Sequence, residues 1–473
     1  MKSACLVGAG LGGLACALRL AQEGVSVDVF ETHDRPGGRA AAFITEGGFR
    51  FDTGPTLIVM TDVIERALGK AAFANIGLRR LDPGYRVLWP NGDSFDLSCD
   101  VATLLREIEG FEPGRSAAAL SYLATVHEQF RESRAKILEV DHSLKSTLQL
   151  IMRPGKLRPW VFRKLRAFTE RWFRSPRIIQ ALTFQSLYLG TSPLRAPAMY
   201  ALLPVQEIVG GVWFAPGGTG AIVDALTGAC ENAGVRFHFG APVDAVLSQG
   251  ERATGVRTGG AIRGFDAVAI NADREPAMQR FFGVPSSRLA YGHSAMVWYL
   301  GINRTVHLSH HSVLLPDDPW QAYAQLDAGV IPQEPMIYVC NPAASDSSFA
   351  PSGMSSLMLL CPVPNRKRLR DFDEEALFRR VLQRVESYAG DLQPHLVYRN
   401  ARGPREFEKD FNVMYGAAFG PDHTLDQMGF LRPPIAHPRL RNVVFAGSGT
   451  RPGSGVPMVM ISGRLAAERL LSA

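Results

Sequence analysis

A glycine-rich segment near the start of the chain has the composition of a dinucleotide-binding turn. Residues 8–13 read Gly-Ala-Gly-Leu-Gly-Gly, a G-x-G-x-x-G pattern between an apolar run and a run with helical spacing. In such a turn Gly8 permits the tight bend, Gly10 lets a pyrophosphate approach the backbone, and Gly13 allows close packing of the helix on the strand. The positive end of the helix would stabilise the phosphate charge.

Glu31 supplies the acidic group that completes this pattern. It lies at the end of the next apolar run, where its carboxylate would accept hydrogen bonds from a ribose diol and repel a 2′-phosphate. The turn and the acid therefore predict a dinucleotide site. They do not distinguish NAD from FAD.

The elements around these residues predict a βαβ unit. Residues 3–8 predict a buried strand, residues 12–23 a helix that Gly24 closes, and residues 25–31 a second strand. Further elements of the same kind are predicted later in the chain: two strands within 235–247, strands at 255–258, 265–270 and 442–446, and a helix at 458–472.

Two long segments without glycine motifs interrupt this arrangement. The first predicts helices at 101–109 and 116–150, and the second predicts strands at 294–302, 336–340 and 355–361 and a helix at 373–388. We therefore expect an α/β fold with a discontinuous nucleotide-binding domain and an inserted α+β substrate domain. The expected boundaries are 1–60, 206–275 and 411–473 for the first domain and 61–205 and 276–410 for the second.

Composition excludes several other classes of protein. The 473 residues are 46% hydrophobic and 20% charged, which is typical of a globular chain rather than a disordered or fibrous one. The six cysteines form no CxxC pair, and no apolar run reaches the ~18 residues that a membrane span needs. We expect a reduced, cytoplasmic setting without a signal peptide. The net charge of +6 is compatible with an anionic lipid surface and does not require nucleic acid.

A histidine cluster raises the question of a metal site. His307, His310 and His311 form an H-x-x-H-H pattern, but no carboxylate lies within five residues of it. We interpret this segment as a polar loop and predict no bound metal.

A second glycine pattern directly follows the predicted ribose-binding strand. Residues 34–39 read Asp-Arg-Pro-Gly-Gly-Arg, so Gly38 and its neighbour let the backbone run close to an extended cofactor, and Arg39 would pair with a pyrophosphate. Together with residues 8–13, this segment resembles the flavoprotein superfamily that includes amine oxidases and carotenoid desaturases. Residues 48–56, 211–220 and 444–457 narrow the resemblance to the bacterial-type phytoene desaturase family.

The resemblance implies a Rossmann-type FAD-binding domain of the glutathione-reductase-2 kind, with FAD as the cofactor. The residues that it assigns to FAD are Gly8, Gly10, Gly13, Glu31, Gly38 and Arg39 at the ADP half, Val243 at the adenine, and Gly447, Thr450, Gly453, Val456 and Pro457 at the flavin end. The chain departs from the family pattern at Ser448, Arg451 and Met458.

The resemblance also implies the reaction. Two hydrogens would leave a linear isoprenoid chain, one as a hydride to the flavin, with quinone or oxygen as the final electron acceptor. The chemistry is centred on the flavin, so no catalytic side chain is assigned. Pro55, Gln185, Tyr188 and Tyr415 are the candidates for the cavity wall.

A basic and aromatic segment at 153–177 predicts how an apolar substrate arrives. It holds nine Lys or Arg residues and one acid, and Val161, Leu165, Phe168 and Trp172 repeat at helical spacing. This pattern fits a helix lying in lipid headgroups at the inner face of the cell membrane, and it fits equally a packed helix with a basic solvated face.

Three hypotheses for the function are consistent with these residues. The first is a desaturase acting on a phytoene-like or diapophytoene-like polyene. The second is another enzyme of the same fold, namely a flavin-dependent carotenoid isomerase, a terminal oxidase of carotenoids or an amine oxidase. The third is a prenyl-lipid carrier that has lost its flavin, against which the intact glycines and Glu31 count.

Overall fold

A computed structural model describes residues 1–141, 159–285, 289–369 and 372–472. The strands are β1 (Ser3–Val7), β2 (Ser26–Phe30), β3 (Ala42–Ile44), β4 (Arg50–Asp52), β5 (Arg79–Leu81), β6 (Tyr85–Leu88), β7 (Ser94–Leu97), β8 (Val212–Phe214), β9 (Arg236–His238), β10 (Val243–Gln249), β11 (Arg252–Thr258), β12 (Ala261–Gly264), β13 (Ala267–Ile270), β14 (Ser294–Ile302), β15 (His311–Leu314), β16 (Ile337–Cys340), β17 (Ser355–Val363), β18 (Leu396–Arg402) and β19 (Val443–Phe445).

The α-helices are α1 (Leu11–Gln22), α2 (Thr61–Leu68), α3 (Lys70–Ile76), α4 (Val101–Phe111), α5 (Ser116–Ser133), α6 (Leu165–Thr169), α7 (Pro176–Ala181), α8 (Leu202–Gly210), α9 (Gly220–Asn232), α10 (Arg274–Phe282), α11 (Pro319–Asp327), α12 (Glu374–Ala389), α13 (Pro404–Phe411) and α14 (Val456–Leu471).

A five-stranded parallel sheet forms the first layer of the fold. Its strand order is β19-β13-β1-β2-β9, and each neighbouring pair is parallel. The strands are apolar on both faces because helices and the small β10-β11-β12 sheet cover them. The predicted βαβ unit, with Gly24 closing α1 at φ +78°, is confirmed.

Helices α1 and α14 pack against each other at backbone distance. A Cβ atom added at Gly463 of α14 would lie 2.2 Å from the Gly12 carbonyl oxygen of α1. A Cβ atom at Gly13 would lie 2.2 Å from the Gly8 carbonyl oxygen, so this glycine has the packing role predicted for it. The two ends of the chain therefore meet because glycines leave room for them.

A seven-stranded mixed sheet forms the second main layer. Its order is β18-β14-β17-β16-β15-β6-β7, so strands from both interrupting segments share it. Helix α12 packs one apolar face on β14 and β17 in a separate core. The strands predicted at 294–302, 336–340 and 355–361 and the helix predicted at 373–388 are present.

Some elements predicted for the substrate domain contact the nucleotide-binding domain. Helices α2 and α3 pack in the same core as α1 and α14, and β5 pairs with β8. The exact domain boundaries stay a prediction.

The helix predicted at 116–150 is shorter than expected. Helix α5 ends at Ser133, and a single π-helical turn continues to Leu138. The chain then turns because Arg66 and Arg134 both hold the Glu139 carboxylate, at 2.8 and 2.7 Å. Residues 142–150 of the predicted helix lie outside the described residues.

The amphipathic helix predicted at 153–177 is wrong for the residues that the structure describes. A 3-10 turn covers Pro159–Phe162, and α6 and α7 are short, separate helices. The backbone at residues 164–165 pairs with residues 196–197 instead of continuing a helix. The sequence could not show this long-range pairing. Residues 153–158 lie outside the described part.

The apolar face of that segment is packed in the protein core. The ring of Trp160 stacks on Phe168 with centroids 4.2 Å apart, and Val161, Leu165 and Phe168 are each 2% exposed or less. These side chains are therefore not available to lipid. Within the described ranges, no helix is both long and apolar enough to cross a bilayer.

The α1–α14 contact gives a first prediction. Gly463→Ala should lower the free energy of unfolding by about 1–3 kcal/mol, because the new methyl group must displace the α1 backbone. Gly228→Ala on α9 is the matched control, since nothing lies within 4 Å of its Cβ position. It should be neutral or stabilise by about 0.5–1 kcal/mol. Chemical denaturation measures both, and equal stability of the two variants would contradict the packing described.

Candidate active site

One cavity of about 770 Å³ connects the glycine-rich segments with an apolar interior. Residues 8–12 at the start of α1 and residues 446–459 at the start of α14 both line it. Two helix N-termini therefore face the same space, which favours an anionic group there.

Glu31 lines the end of the cavity next to α1. Its carboxylate accepts hydrogen bonds from the backbone N–H groups of Ala9 at 2.7 Å and His33 at 2.9 Å. Gly37 donates to the carbonyl oxygen of Ala9 at 2.8 Å, so the two predicted glycine turns lie side by side. Val243 lines the same end, and its carbonyl oxygen accepts a hydrogen bond from Arg280.

Asn271 joins the two glycine-rich segments and was missed in the sequence. It follows β13, and its side-chain amide donates to the Ala446 carbonyl oxygen at 2.9 Å. Cβ atoms at Gly10, Gly12 or Gly447 would each lie within 2.7–2.9 Å of its side chain. Its position directly after β13, a strand of the parallel sheet, is the signal that could have found it, because ligands bind at the carboxyl ends of such strands.

Arg39 links the N-terminal and C-terminal segments at the middle of the cavity. It donates to the Ser448 hydroxyl at 2.5 Å and to the Ala418 carbonyl oxygen at 2.7 Å. Burial lowers its pKa, and the nearby Asp273 carboxylate offsets part of that effect. The departure from the family pattern at Ser448 thus supplies a partner for Arg39.

Two further arginines surround the C-terminal segment. Arg432 is 1% exposed and donates to the carbonyl oxygens of Ser448 at 2.8 Å and Thr450 at 3.3 Å. Arg451 lines the cavity and donates to the Phe430 carbonyl oxygen at 2.6 Å. Burial lowers the pKa of both groups. These cations give this part of the cavity a positive potential.

The two middle motifs, residues 48–56 and 211–220, are held together by Asp52. Its carboxylate accepts hydrogen bonds from the N–H groups of Thr219 at 3.0 Å and Gly220 at 3.1 Å. Burial raises the pKa of this carboxyl to about 6. The Thr219 hydroxyl donates to the Pro55 carbonyl oxygen at 2.6 Å, which fixes the loop that carries Pro55 into the cavity wall.

The remainder of the cavity wall is largely apolar. It lies between the 187–203 segment and strands β14 and β17 of the mixed sheet. The side chains that form this part include Leu187, Leu189, Met199, Leu202, Leu203, Val297, Met336, Met358 and Leu360. Such a wall suits a hydrocarbon and offers few partners for a polar ligand.

Two buried polar groups interrupt that apolar wall. The Tyr85 hydroxyl donates to Oε1 of Glu207 at 3.0 Å, and burial raises the pKa of the Glu207 carboxyl to about 8. On the facing sheet the Tyr338 hydroxyl lies 2.6 Å from the Thr56 hydroxyl and 2.7 Å from Nδ1 of His311. Neither group could be selected from the sequence.

Two of the three histidines in the predicted polar loop are buried: His310 precedes β15 and His311 begins it, whereas His307 is exposed. His310 and His311 lie with Cys340 so that one potential ligand atom of each is within 4.8 Å of the others, and His307 is not part of this group. Ser345 and Tyr338 form hydrogen bonds with the two imidazoles. Burial lowers the pKa of His310 to about 4, and it lowers that of His311 well below its usual value. That no metal binds stays a prediction.

Most of the predicted site residues line the cavity, and four do not. The lining residues are Gly8, Gly10, Glu31, Gly38, Arg39, Val243, Gly447, Gly453, Val456 and Pro457, together with Pro55 and Tyr188. Gly13 lies in the α1 packing contact, and the buried Thr450 hydroxyl donates to the Pro433 carbonyl oxygen. Gln185 is buried beside Glu207, and Tyr415 packs on Tyr291.

The sequence of residues 11–471 matches the family described as flavin containing amine oxidoreductase. The chain belongs to this family. It is 36% identical to the zeta-carotene-forming phytoene desaturase of Myxococcus xanthus over 99% of this chain and 93% of that protein. It is 30% identical to the 4,4'-diapophytoene desaturase of Staphylococcus aureus over 98% of both. Cyclohexylamine oxidase from Brevibacterium oxydans has the same fold, with a TM-score of 0.65 and 15% identity over 100% of this chain and 99% of that one.

These matches confirm the Rossmann-type flavoprotein fold, FAD as the cofactor and the resemblance to carotenoid desaturases. The protein is therefore a flavin-dependent oxidoreductase. The cavity also fits such a cofactor, because the glycines at its α1 and α14 ends leave no Cβ atoms in the way and three arginines surround its centre.

Proposed function

We propose that the protein is an FAD-dependent desaturase that introduces conjugated double bonds into a linear isoprenoid hydrocarbon. The observation that carries this proposal is the single cavity whose glycine-lined end continues into an apolar wall. The related phytoene and diapophytoene desaturases support it. Whether the substrate has 30 or 40 carbons, and how many double bonds are formed, is decided by the experiment below.

Specific residues are proposed to hold FAD along the cavity. Gly8, Gly10 and Glu31 would contact the ADP half, Val243 the adenine, and Arg39 the pyrophosphate, where its charge offsets that of the phosphates. Gly447, Gly453, Val456 and Pro457 would contact the flavin end. When bound, FAD supplies the hydride acceptor.

The chain's own contribution to the reaction is orientation and exclusion of water. Apolar side chains on two sides of the cavity restrict the orientations that an extended apolar substrate can adopt. They are Met336, Met358 and Leu360 on one side and Leu187 and Leu202 on the other. The apolar wall also excludes water, which would otherwise add to the carbon that becomes positively charged when a hydride leaves.

An amine oxidase is less consistent with this wall. A primary amine would require a polar entrance and a buried anion to accept its charge. The Glu207 carboxyl, with its raised pKa, favours the neutral state at pH 7. The oxidation of a hydrocarbon fits the apolar residues better.

Contact with a membrane surface and the final electron acceptor are further parts of this proposal. A hydrocarbon of this length resides in lipid, and a net charge of +6 favours anionic headgroups. We propose peripheral binding at the inner face of the cell membrane, with quinone or oxygen reoxidising the flavin.

Gly10→Glu tests the cofactor end of the cavity. The new carboxylate would occupy the space at the start of α1 where the pyrophosphate is proposed to bind, so the purified protein should lose nearly all its flavin. Gly110→Glu on α4 is the matched control, because nothing lies within 4 Å of its Cβ position. Flavin absorbance per protein measures both. A Gly10→Glu protein with normal flavin content would show that the pyrophosphate binds elsewhere.

Pigment formation tests the reaction. Expressed in cells that make phytoene or diapophytoene, the protein should convert at least one of them to a polyene that absorbs visible light, because each new double bond extends the conjugation. Extracted pigments are identified by their spectra and masses. Cells that stay colourless in both backgrounds while holding flavin-loaded protein would contradict the proposal.

A further inference from the structure

Desaturation releases a proton as well as a hydride, and the apolar wall holds few groups able to accept it. Among the described residues that line the cavity, four carry a carboxyl group: Glu31, Glu207, Asp273 and Asp410. A carboxylate is the natural acceptor here because buried imidazoles such as His423, whose pKa burial lowers, resist protonation. The position of each carboxyl decides which of them can serve.

Three of the four carboxyls are engaged elsewhere. Glu31 accepts two backbone hydrogen bonds at the ADP end of the cavity. Asp410 pairs with Arg402 at 3.2 Å. Oδ2 of Asp273 accepts a hydrogen bond from the Met414 N–H group, and its carboxylate interacts with the Arg39 cation. Its Oδ1, like Oε2 of Glu207, makes no well-aligned hydrogen bond with the described residues, so the backbone donor and the cation are what distinguish Asp273 from Glu207.

Glu207 differs from these three in its surroundings. It lies on α8, which also contributes Leu202 and Leu203 to the apolar wall. It is only 6% exposed, and no ion pair of the described chain includes it. Oε1 accepts the Tyr85 hydroxyl hydrogen bond, whereas Oε2 makes no well-aligned hydrogen bond with any of the described residues. The Glu207 carboxyl is thus enclosed in the wall of the apolar part of the cavity, with Tyr85 bonded to one oxygen and the Gln185 side chain close to the group.

We propose that Glu207 is the catalytic residue that accepts the proton released during desaturation. The inference rests on the proposed function. One substrate carbon loses hydrogen with both bonding electrons, which the flavin accepts as a hydride. The neighbouring carbon gives its hydrogen to the Glu207 carboxylate as a proton, and the electrons of that C–H bond form the new double bond. The flavin is reduced by two electrons, the substrate is oxidised by two, and the carboxylate becomes a carboxylic acid.

Tyr85 is a positioning residue for this step. Its hydroxyl donates to Oε1 from β6, and this hydrogen bond lowers the pKa of Glu207 against the larger, raising effect of burial. Gln185, on the adjacent 3-10 turn, acts in the same direction. The tyrosine and the glutamine thereby hold the carboxyl in place at the cavity wall.

The reaction rate is expected to depend on pH, because Glu207 must be ionised to accept a proton. The titratable groups that interact with it are Tyr85 on β6 and Tyr188 on the 184–189 turn, and Tyr200, on the 198–201 turn packed against α8, lines the same cavity. Burial raises the pKa of Tyr85, Tyr188 and Tyr200, so they stay neutral through the range in which Glu207 titrates. Glu207 accepts a proton only when ionised, so the rate should rise with pH and level off above its pKa of about 8.

The test uses holoenzyme loaded with FAD and an isoprenoid hydrocarbon in phosphatidylglycerol–phosphatidylcholine vesicles. Glu207→Gln keeps the size of the side chain and its acceptor for Tyr85, so flavin content should be unchanged. The anaerobic rate of flavin reduction by substrate should fall about 100-fold or more, and the rise with pH should disappear. Tyr85→Phe should retain the pH-dependent rise but shift its midpoint to higher pH, because it removes a hydrogen bond that stabilises the carboxylate.

A stability measurement gives a readout that does not require turnover. The pKa of Glu207 is about 8 in the folded chain and near 4.5 in the unfolded chain, so between these values the folded state binds more protons and loses stability as pH rises. Gln does not titrate. The thermal midpoint of Glu207→Gln relative to wild type should therefore be higher at pH 9 than at pH 5. Glu46→Gln, the same change at an exposed site, should show no such difference.

The outcomes separate this inference from the proposed function. Wild-type protein that reduces its flavin with the polyene, together with a Glu207→Gln variant that keeps both rate and pH profile, would overturn the role of Glu207 and leave the desaturase intact. A wild-type protein that fails to oxidise any polyene would overturn the proposed function first. A relative midpoint that does not change between pH 5 and pH 9 would contradict the buried carboxyl with a raised pKa.

Discussion

The close approach of α1 to α14 is the contact on which the site depends. A Cβ atom on Gly463 would lie only 2.2 Å from the carbonyl oxygen of Gly12, so the first and last helices contact each other through their backbones. Asn271 fills the remaining space and hydrogen-bonds to the strand end beside Gly447. The start of each helix then faces the same cavity, although the two segments lie at opposite ends of the chain.

The mixed sheet supplies what the nucleotide-binding layer lacks. A parallel sheet with helix N-termini at its carboxyl edge favours phosphate groups and has no special affinity for hydrocarbon. The second layer adds methionine and leucine side chains that extend the same cavity into an apolar space. The two layers thus bring a nucleotide-binding edge and an apolar wall to the same cavity. Of the carboxyls that line this cavity in the described part of the chain, Glu207 is the one without a backbone donor or a paired cation.

The sequence predicted the parts of the site that depend on local geometry. A tight turn, a backbone approach and a helix packed on a strand each require glycine, so residues 8–13 could be recognised from their spacing. The role of residues 447–457 came from the family resemblance. Strands of the buried sheets were predictable for a similar reason, since long β-branched runs bounded by polar residues leave few alternatives. Even Gly13 has the packing role assigned to it.

Features set by long-range packing escaped prediction. The periodicity at 161–172 correctly indicated an apolar face, but only the structure shows that Trp160 and the protein core cover it. Glu207 looked like an ordinary helical glutamate because its partner, Tyr85, lies 122 residues away in the chain. Asn271 was equally inconspicuous, since one asparagine after a strand carries no pattern. The spacing of residues indicates the local conformation of a segment, but it does not indicate which distant residues pack against that segment.

Anaerobic reduction of the bound flavin by candidate substrates tests most directly whether this cavity oxidises a hydrocarbon. Purified holoenzyme is mixed with vesicles that contain a C40 or C30 isoprenoid hydrocarbon, or with a primary amine, and the flavin absorbance is followed. We expect at least one hydrocarbon to bleach the flavin, with one flavin reduced by two electrons for each double bond formed. We expect no bleaching by the amine. Bleaching by the amine alone would contradict both expectations.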